Sequence, residues 1–280
     1  MSYKSILVHI DEHESTANRL ETATKLAQSF DAHLAAIYVA CQPTWPASVY
    51  GPMPNEALAA QNRLIEEQIT KAHSLVEKTA KETGVDIEWR KEDVADFVAT
   101  YALVKHTRHA DLLVIGQTEP DKARSGGADL PESVVLGAGR PVLMTPYIGV
   151  RQNVGENILE AWNGSREATR AVNDAMPLLE KAKNVVVMSV NAAHGEGDYG
   201  PEPGADIAAH LARHGVNVDV QRIESDDVDP GNLILSRISD LGSDMLVMGA
   251  YGRSRLREMI LGGVSREVLR HMTVPVLLSH

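Results

Sequence analysis

The sequence predicts an α/β protein built as two tandem copies of one domain. Three features carry that reading: a repeated pair of apolar runs, near-equal spacing between them, and strand signals that alternate with helix signals. Ala110-Asp-Leu-Leu-Val-Ile-Gly116 returns as Ser243-Asp-Met-Leu-Val-Met-Gly249, and Gly139-Arg-Pro-Val-Leu-Met-Thr145 returns as Thr273-Val-Pro-Val-Leu-Leu-Ser279. Gly116 and Pro141 lie 25 positions apart; Gly249 and Pro275 lie 26 apart. Lys4–Asp11 and Asn157–Asn163 open the two copies, each ahead of a long Ala-rich stretch. The expected domains are residues 1–147 and 152–280.

The second copy shows the alternation most clearly. Ile158–Trp162 is a short apolar run, read as a strand. Ser165–Lys181 follows as a helix, with Ser165 as its cap, because a hydroxyl there accepts from a free first-turn N–H. Val185–Val190 is a β-branched run of the kind that fits a strand buried on both faces. Ile207–His214 reads as helix, Val216–Ile223 as an alternating strand and Asn232–Leu241 as helix. Met245–Met248 is a buried strand, Ser265–Met272 a helix and Val274–Leu278 the last strand. Such a pattern gives a mostly parallel sheet joined by right-handed crossovers. Ligands of such sheets sit beyond the carboxyl ends of the strands, where the strand order reverses. The residues after Trp162, Val190 and Met248 are therefore the place to look.

Composition narrows the class. Aromatic residues make up 4% of the 280, so the cores are built from Val, Ile, Leu, Met and Ala. The formal charge of −11 opposes non-specific nucleic-acid binding, which needs a field of the other sign. A lone cysteine, Cys41, cannot make an internal disulfide, which fits a reducing compartment. The first apolar run, Ile6–Ile10, is interrupted by His9 and too short for a leader or a membrane span. A cytoplasmic protein is expected.

The strand ending at Met248 opens into Gly249-Ala-Tyr-Gly252, then nine residues, then Gly262-Gly263-Val264-Ser265. Glycines let phosphate oxygens approach the backbone, and a helix that starts there offers free N–H groups and the positive end of its dipole. Arg253 and Arg255 add positive charge within the segment, and Ser265 adds a hydroxyl at the helix start. This segment resembles the nucleotide-binding signature of the universal stress protein family: Gly, two residues, Gly, nine residues, Gly, then Ser or Thr. Gly252-Arg-Ser254, Val264-Ser265 and His271 through Pro275-Val-Leu277 are similar to the family's C-terminal pattern. Asn163-Gly164-Ser165 resembles the family's Asp-Gly-Ser after the first strand.

The resemblance covers the whole chain and implies two tandem Rossmann-like domains, each a five-stranded parallel sheet flanked by helices. It implies ATP, or AMP or ADP, with or without Mg2+, and a role in stress tolerance as a sensor or scaffold. Asn163 then lies near the adenine and Val190 touches the base. Gly249, Gly252, Gly262 and Ser265 surround ribose and phosphates, with Arg253, Gly263 and Val264 completing the loop. Asn163 departs from the usual Asp, and Gly263 from the usual Ser or Thr. The last strands, Pro141–Thr145 and Pro275–Ser279, are edges that invite pairing. They are the expected seam of an intramolecular pseudo-dimer, and a further homodimer stays open.

The first copy departs further. Gly116 is followed by Gln117-Thr-Glu-Pro-Asp121, where two carboxylates would repel a phosphate and Pro120 removes an N–H. It reads as a structural or partner domain with a degenerate nucleotide site. Gly195-Glu-Gly-Asp-Tyr-Gly200 matches a dinucleotide fingerprint by letter, but its acidic residues and following prolines make it an acidic loop. His210 and His214 share a helix face without a third ligand and read as surface residues, not a metal site. Two other functional readings stay open: a slow nucleotide hydrolase or phosphotransferase using Glu258, or an interaction module that binds no nucleotide.

Overall fold

A computed structural model describes residues 2–42, 45, 51–120, 127, 129–148, 153–191, 203–225, 227–250 and 263–280. Two compact units emerge, Tyr3–Ala138 and Gly139–His280, the latter including Ser2. In the first, β1 (Ser5–Ile10), α1 (Thr16–Phe30), β2 (His33–Gln42), α2 (Asn55–Thr83) and β3 (Ile87–Ala95) lead to α3 (Ala99–Thr107), β4 (Leu112–Gly116) and α4 (Leu130–Ala138). The strand order is β3-β2-β1-β4, and each of these pairings is parallel.

The second unit begins with β5 (Val142–Thr145), β6 (Asn157–Ala161), α5 (Arg166–Leu179), β7 (Asn184–Val190) and α6 (Ala205–Arg213). It continues with β8 (Val218–Ile223), α7 (Pro230–Asp240), β9 (Met245–Gly249), α8 (Gly263–His271) and β10 (Val276–Ser279). Its order is β5-β10-β9-β6-β7-β8. The last five strands are parallel to one another. β5 runs antiparallel to β10, with Leu143 opposite Leu277.

Hydrophobic pattern decides which strands are central. β1, β4, β6 and β9 are near-continuous Val, Ile, Leu and Met, and their interiors are buried. Strands covered by helices on both faces need such runs. The flanking strands β3 and β8 alternate instead, with burial switching residue by residue along much of their length.

The duplication extends to a polar clasp. Asp111, just before β4, accepts hydrogen bonds from the backbone N–H groups of Lys4 and Ser5 at 2.8 and 3.0 Å. Asp244, just before β9, does the same for Gly155 at 2.8 Å and for Glu156 and Asn157 at 3.2 Å. Each carboxylate satisfies N–H groups at the entry to the neighbouring central strand, which the ladder alone leaves open.

Two features of the second unit break simple core chemistry. Gly249 ends β9 where the first turn of α5 crosses it: a Cβ there would stand 2.4 Å from Ala168 N and 2.6 Å from the Glu167 carbonyl carbon. Only glycine fits that approach. Glu160, inside β6, is fully buried, and neither carboxyl oxygen has a hydrogen-bond partner among the described residues. Desolvation pushes its pKa well above the ordinary carboxyl range.

Gly249→Ala is expected to lower unfolding stability by about 3 kcal/mol, since backbone must move rather than a side chain; urea denaturation measures it. For Glu160 the sign is set by proton counts. The folded state holds a proton that the unfolded chain releases above the ordinary carboxyl pKa, so stability falls as pH rises from there towards the raised pKa. Glu160→Met is expected to be more stable than wild type by about 1–3 kcal/mol at pH 8. The gap narrows as pH is lowered towards 4, and a gap independent of pH would contradict the buried-acid account.

Candidate functional site

The second unit reverses its strand order between β6 and β9: β6, β7 and β8 run outward on one side, β9 and β10 on the other. Register fixes what lies at that switch point. Met248, Ala161 and Met188 sit side by side across β9, β6 and β7. Asn163, Val190 and Ala250 each come two residues later, at the carboxyl ends of these three strands.

Asn163 is exposed and turns back on its own chain, its side-chain carbonyl accepting from Ser165 N–H at 3.1 Å. The amide NH2 supplies two donors that a carboxylate at this position would lack. Gly164, with φ +67, makes the turn. Ser165 caps α5 as expected, accepting from Ala168 N–H at 3.1 Å. Val190 ends β7 half-buried. The next residue, Asn191, takes the left-handed conformation at φ +51 and clamps the exit of β8. Its carbonyl accepts from Ser225 N–H at 2.8 Å and its NH2 donates to Ser225 O at 2.9 Å.

Beyond β9, Ala250 is buried, its N–H donating to Ser279 O at 2.9 Å. His280 Nδ1 lies 2.9 Å from Ala250 O, as its donor in the tautomer that this contact requires. α8 starts at Gly263, two residues ahead of the expected Ser265, so Gly263, Val264 and Ser265 form its first turn. Ser265 is buried, whereas a Cβ on Gly263 would meet no described atom within 4 Å. The helix is seated by Gly231 of α7, where a Cβ would come within 2.8 Å of Glu267 Cβ. Gly252, Arg253 and Gly262, with Arg255 and Glu258, lie outside the described residues.

Glu167, in the first turn of α5, is buried yet ionises more readily than an ordinary glutamate. Burial opposes this, but the Arg166 guanidinium at 2.9 Å, the local backbone and the charge of His280 outweigh it.

The first unit has the matching switch point between β1 and β4, filled differently. Asp11, one residue past β1, is buried and accepts from Thr16 Oγ1 at 2.5 Å and Arg19 Nη2 at 2.6 Å. Arg19 is wholly buried, and the same Nη2 also donates to Thr16 Oγ1 at 2.6 Å. The acid that resembles the family's adenine-facing Asp is therefore consumed internally. Glu119, read from sequence as a phosphate repellent, instead holds His13 Nε2 at 2.6 Å. Tyr38 OH donates to Glu12 Oε1 beside them. Asp121 lies outside the described residues.

His210 and His214 share one face of α6, ring centroids 4.8 Å apart. Among the described residues no group of three or more His, Cys, Asp or Glu gathers as a metal site, and no helix is long and apolar enough to cross a membrane. The acidic loop Gly195–Gly200 falls outside the described residues. Sequence reasoning missed both clasp aspartates, although their repetition ahead of β4 and β9 was a visible signal.

The sequence model of the universal stress protein family matches residues 2–146 and again 156–280. No curated protein matches the chain. Among solved structures, a universal stress protein from Archaeoglobus fulgidus DSM 4304 is similar at TM-score 0.72 and 16% identity, covering 98% of this chain and 96% of that one. A functionally unknown protein from Pseudomonas aeruginosa PAO1 is similar at TM-score 0.60 and 18% identity, covering 99% and 92%. The universal stress protein from Archaeoglobus fulgidus in complex with dAMP covers 51% of this chain and 98% of its own at 19% identity and TM-score 0.32. With two matches that together span nearly all of it, this chain belongs to the universal stress protein family as a tandem, two-domain member.

Proposed function

We propose that the second domain, 152–280, binds an adenine nucleotide, ATP or its AMP or ADP relative, and that the protein acts in the cytoplasm as a stress-response sensor or scaffold. The observation that carries the reading is that Asn163, Val190 and Ala250 follow the registered Ala161, Met188 and Met248 at the carboxyl ends of β6, β7 and β9, where the strand order reverses and such sheets take ligands. α8 follows in the chain with an uncrowded Gly263 in its first turn. The base lies between Asn163 and Val190, and the phosphates lie along Gly249, Gly252, Arg253, Gly262, Gly263, Val264 and Ser265, with Mg2+ able to bridge them. Asn163 donates its NH2 to a ring nitrogen of adenine instead of accepting from the exocyclic amine.

The first domain, 1–147, serves as structural partner. Asp11 is already paired with Arg19, which supports that role.

Titration calorimetry with ATP and AMP, with and without Mg2+, tests the reading. One site per chain is expected, weakened at least about tenfold in Gly252→Asp by a carboxylate set against phosphate. No heat at millimolar nucleotide would remove the binding role and leave the chain as an interaction module.

A further inference from the structure

Three groups meet at the switch point of the first domain in an order the family signature does not ask for. Ser15 Oγ lies 2.8 Å from His13 Nδ1, and His13 Nε2 lies 2.6 Å from Glu119 Oε2, across 106 positions of sequence. The tautomer follows from a third bond: Ser15 N–H donates to Nδ1 at 3.1 Å, so Nδ1 carries the lone pair and Nε2 carries the proton facing Glu119. The hydroxyl of Ser15 then donates to Nδ1 as well, and is nearer than the backbone N–H.

Ser15 holds the N-cap position of α1 but makes no side-chain cap bond. Its counterpart in the second domain, Ser165, does cap its helix. A cap residue that abandons its cap for an imidazole breaks a local rule, and such breaks concentrate where a site has a task. The consequence is a first turn of α1 with N–H groups uncapped at Ala17, which is exposed, and Asn18, which is half-exposed. They carry the positive end of the helix dipole towards the serine. A nucleophile bonded to a base, a base oriented by a carboxylate and nearby backbone donors are the parts of an acyl-transfer site.

We propose that Ser15, His13 and Glu119 form a nucleophilic serine site in the first domain that takes small acyl esters. Size follows from access: Ser15 keeps 5% of its surface and the His13 side chain 6%, which excludes a large acyl chain. Ser15 Oγ attacks the ester carbonyl while its proton passes to His13 Nδ1. The Nδ1 proton is then handed to the departing alkoxide, which leaves as the alcohol. Water adds to acyl-Ser15 with Nδ1 as its base, the carboxylic acid departs, and the proton returns to Oγ. Glu119 is a positioning residue that holds the Nε2–H and stabilises the imidazolium. None of this depends on nucleotide binding in the second domain.

The test uses the full chain with methanesulfonyl fluoride, whose sulfonyl group is acetyl-sized, and with p-nitrophenyl acetate. Mass mapping is expected to find one sulfonyl adduct, at Ser15. Ester hydrolysis is expected to fall about 100-fold in Ser15→Ala and in His13→Gln. In Glu119→Gln, kcat is expected to drop about tenfold with KM unchanged, a split that a purely structural loss would not give. No adduct at Ser15 in the wild-type chain overturns the proposal, even if Ser15→Ala fails to fold. Hydrolysis equal in wild type and Ser15→Ala overturns it as well.

Discussion

The approach of α5 to the end of β9 is the contact on which the second domain's site depends. A helix backbone can lie against a strand end only where no side chain intervenes, and Gly249 supplies that gap. Because the first turn of α5 is seated there, the Asn163-Gly164-Ser165 turn that feeds it has little freedom. Ser165 can then cap the helix, and Asn163 folds onto Ser165 N–H. Gly249 thus acts first as a packing residue. Its conservation of space on the α5 side is independent of whatever binds beyond the strand end.

Buried polar groups divide the molecule in an instructive way. Asp244, buried, and Asp111, half-buried, are clasps whose charge is spread over backbone N–H groups, so the loss of water is offset by hydrogen bonding. For Asp244 desolvation is still the larger influence, and the carboxyl is held somewhat above its usual range despite those donors. Glu160 has no such compensation among the described residues, and desolvation holds its carboxyl well above the usual range. Asp11 takes a third route, with Arg19 buried beside it as a full counter-charge. Nothing in the structure explains why β6 carries a glutamate where the neighbouring strands place Val187 and Val247.

Long-range order was legible in the sequence wherever apolar periodicity or repetition carried it. The strands β6, β7 and β9, the cap at Ser165 and the paired edge strands β5 and β10 all follow from patterns local to a few residues. α8 begins two residues before the Ser265 that the sequence favours, because glycine is a poor helix former and hides a helix start, while the helix itself is seated on α7 through Glu267 against Gly231. Asn191 was not singled out, since a left-handed residue after a strand has no sequence mark beyond being Asn. Glu119 was read by charge alone, as a group that repels phosphate. Its meeting with His13 joins the exits of β1 and β4 and becomes visible only once those strands are neighbours.

The two switch points show what duplication permits. Both sit where the strand order reverses, and both begin with a short polar turn after the first strand of the repeat. In the second domain that turn is a compact Asx arrangement, and the space at Gly263 is uncrowded by described atoms. In the first, Arg19 neutralises the acid from within, and His13, Ser15 and Glu119 turn towards one another. A carboxylate paired with a buried guanidinium cannot also serve a ligand's amine without leaving that cation uncompensated, which costs more than the new bond returns. Asp11 is thereby held by Arg19 and Thr16, while Ser15, His13 and Glu119 gather at the carboxyl ends of β1 and β4, where this fold takes its ligands.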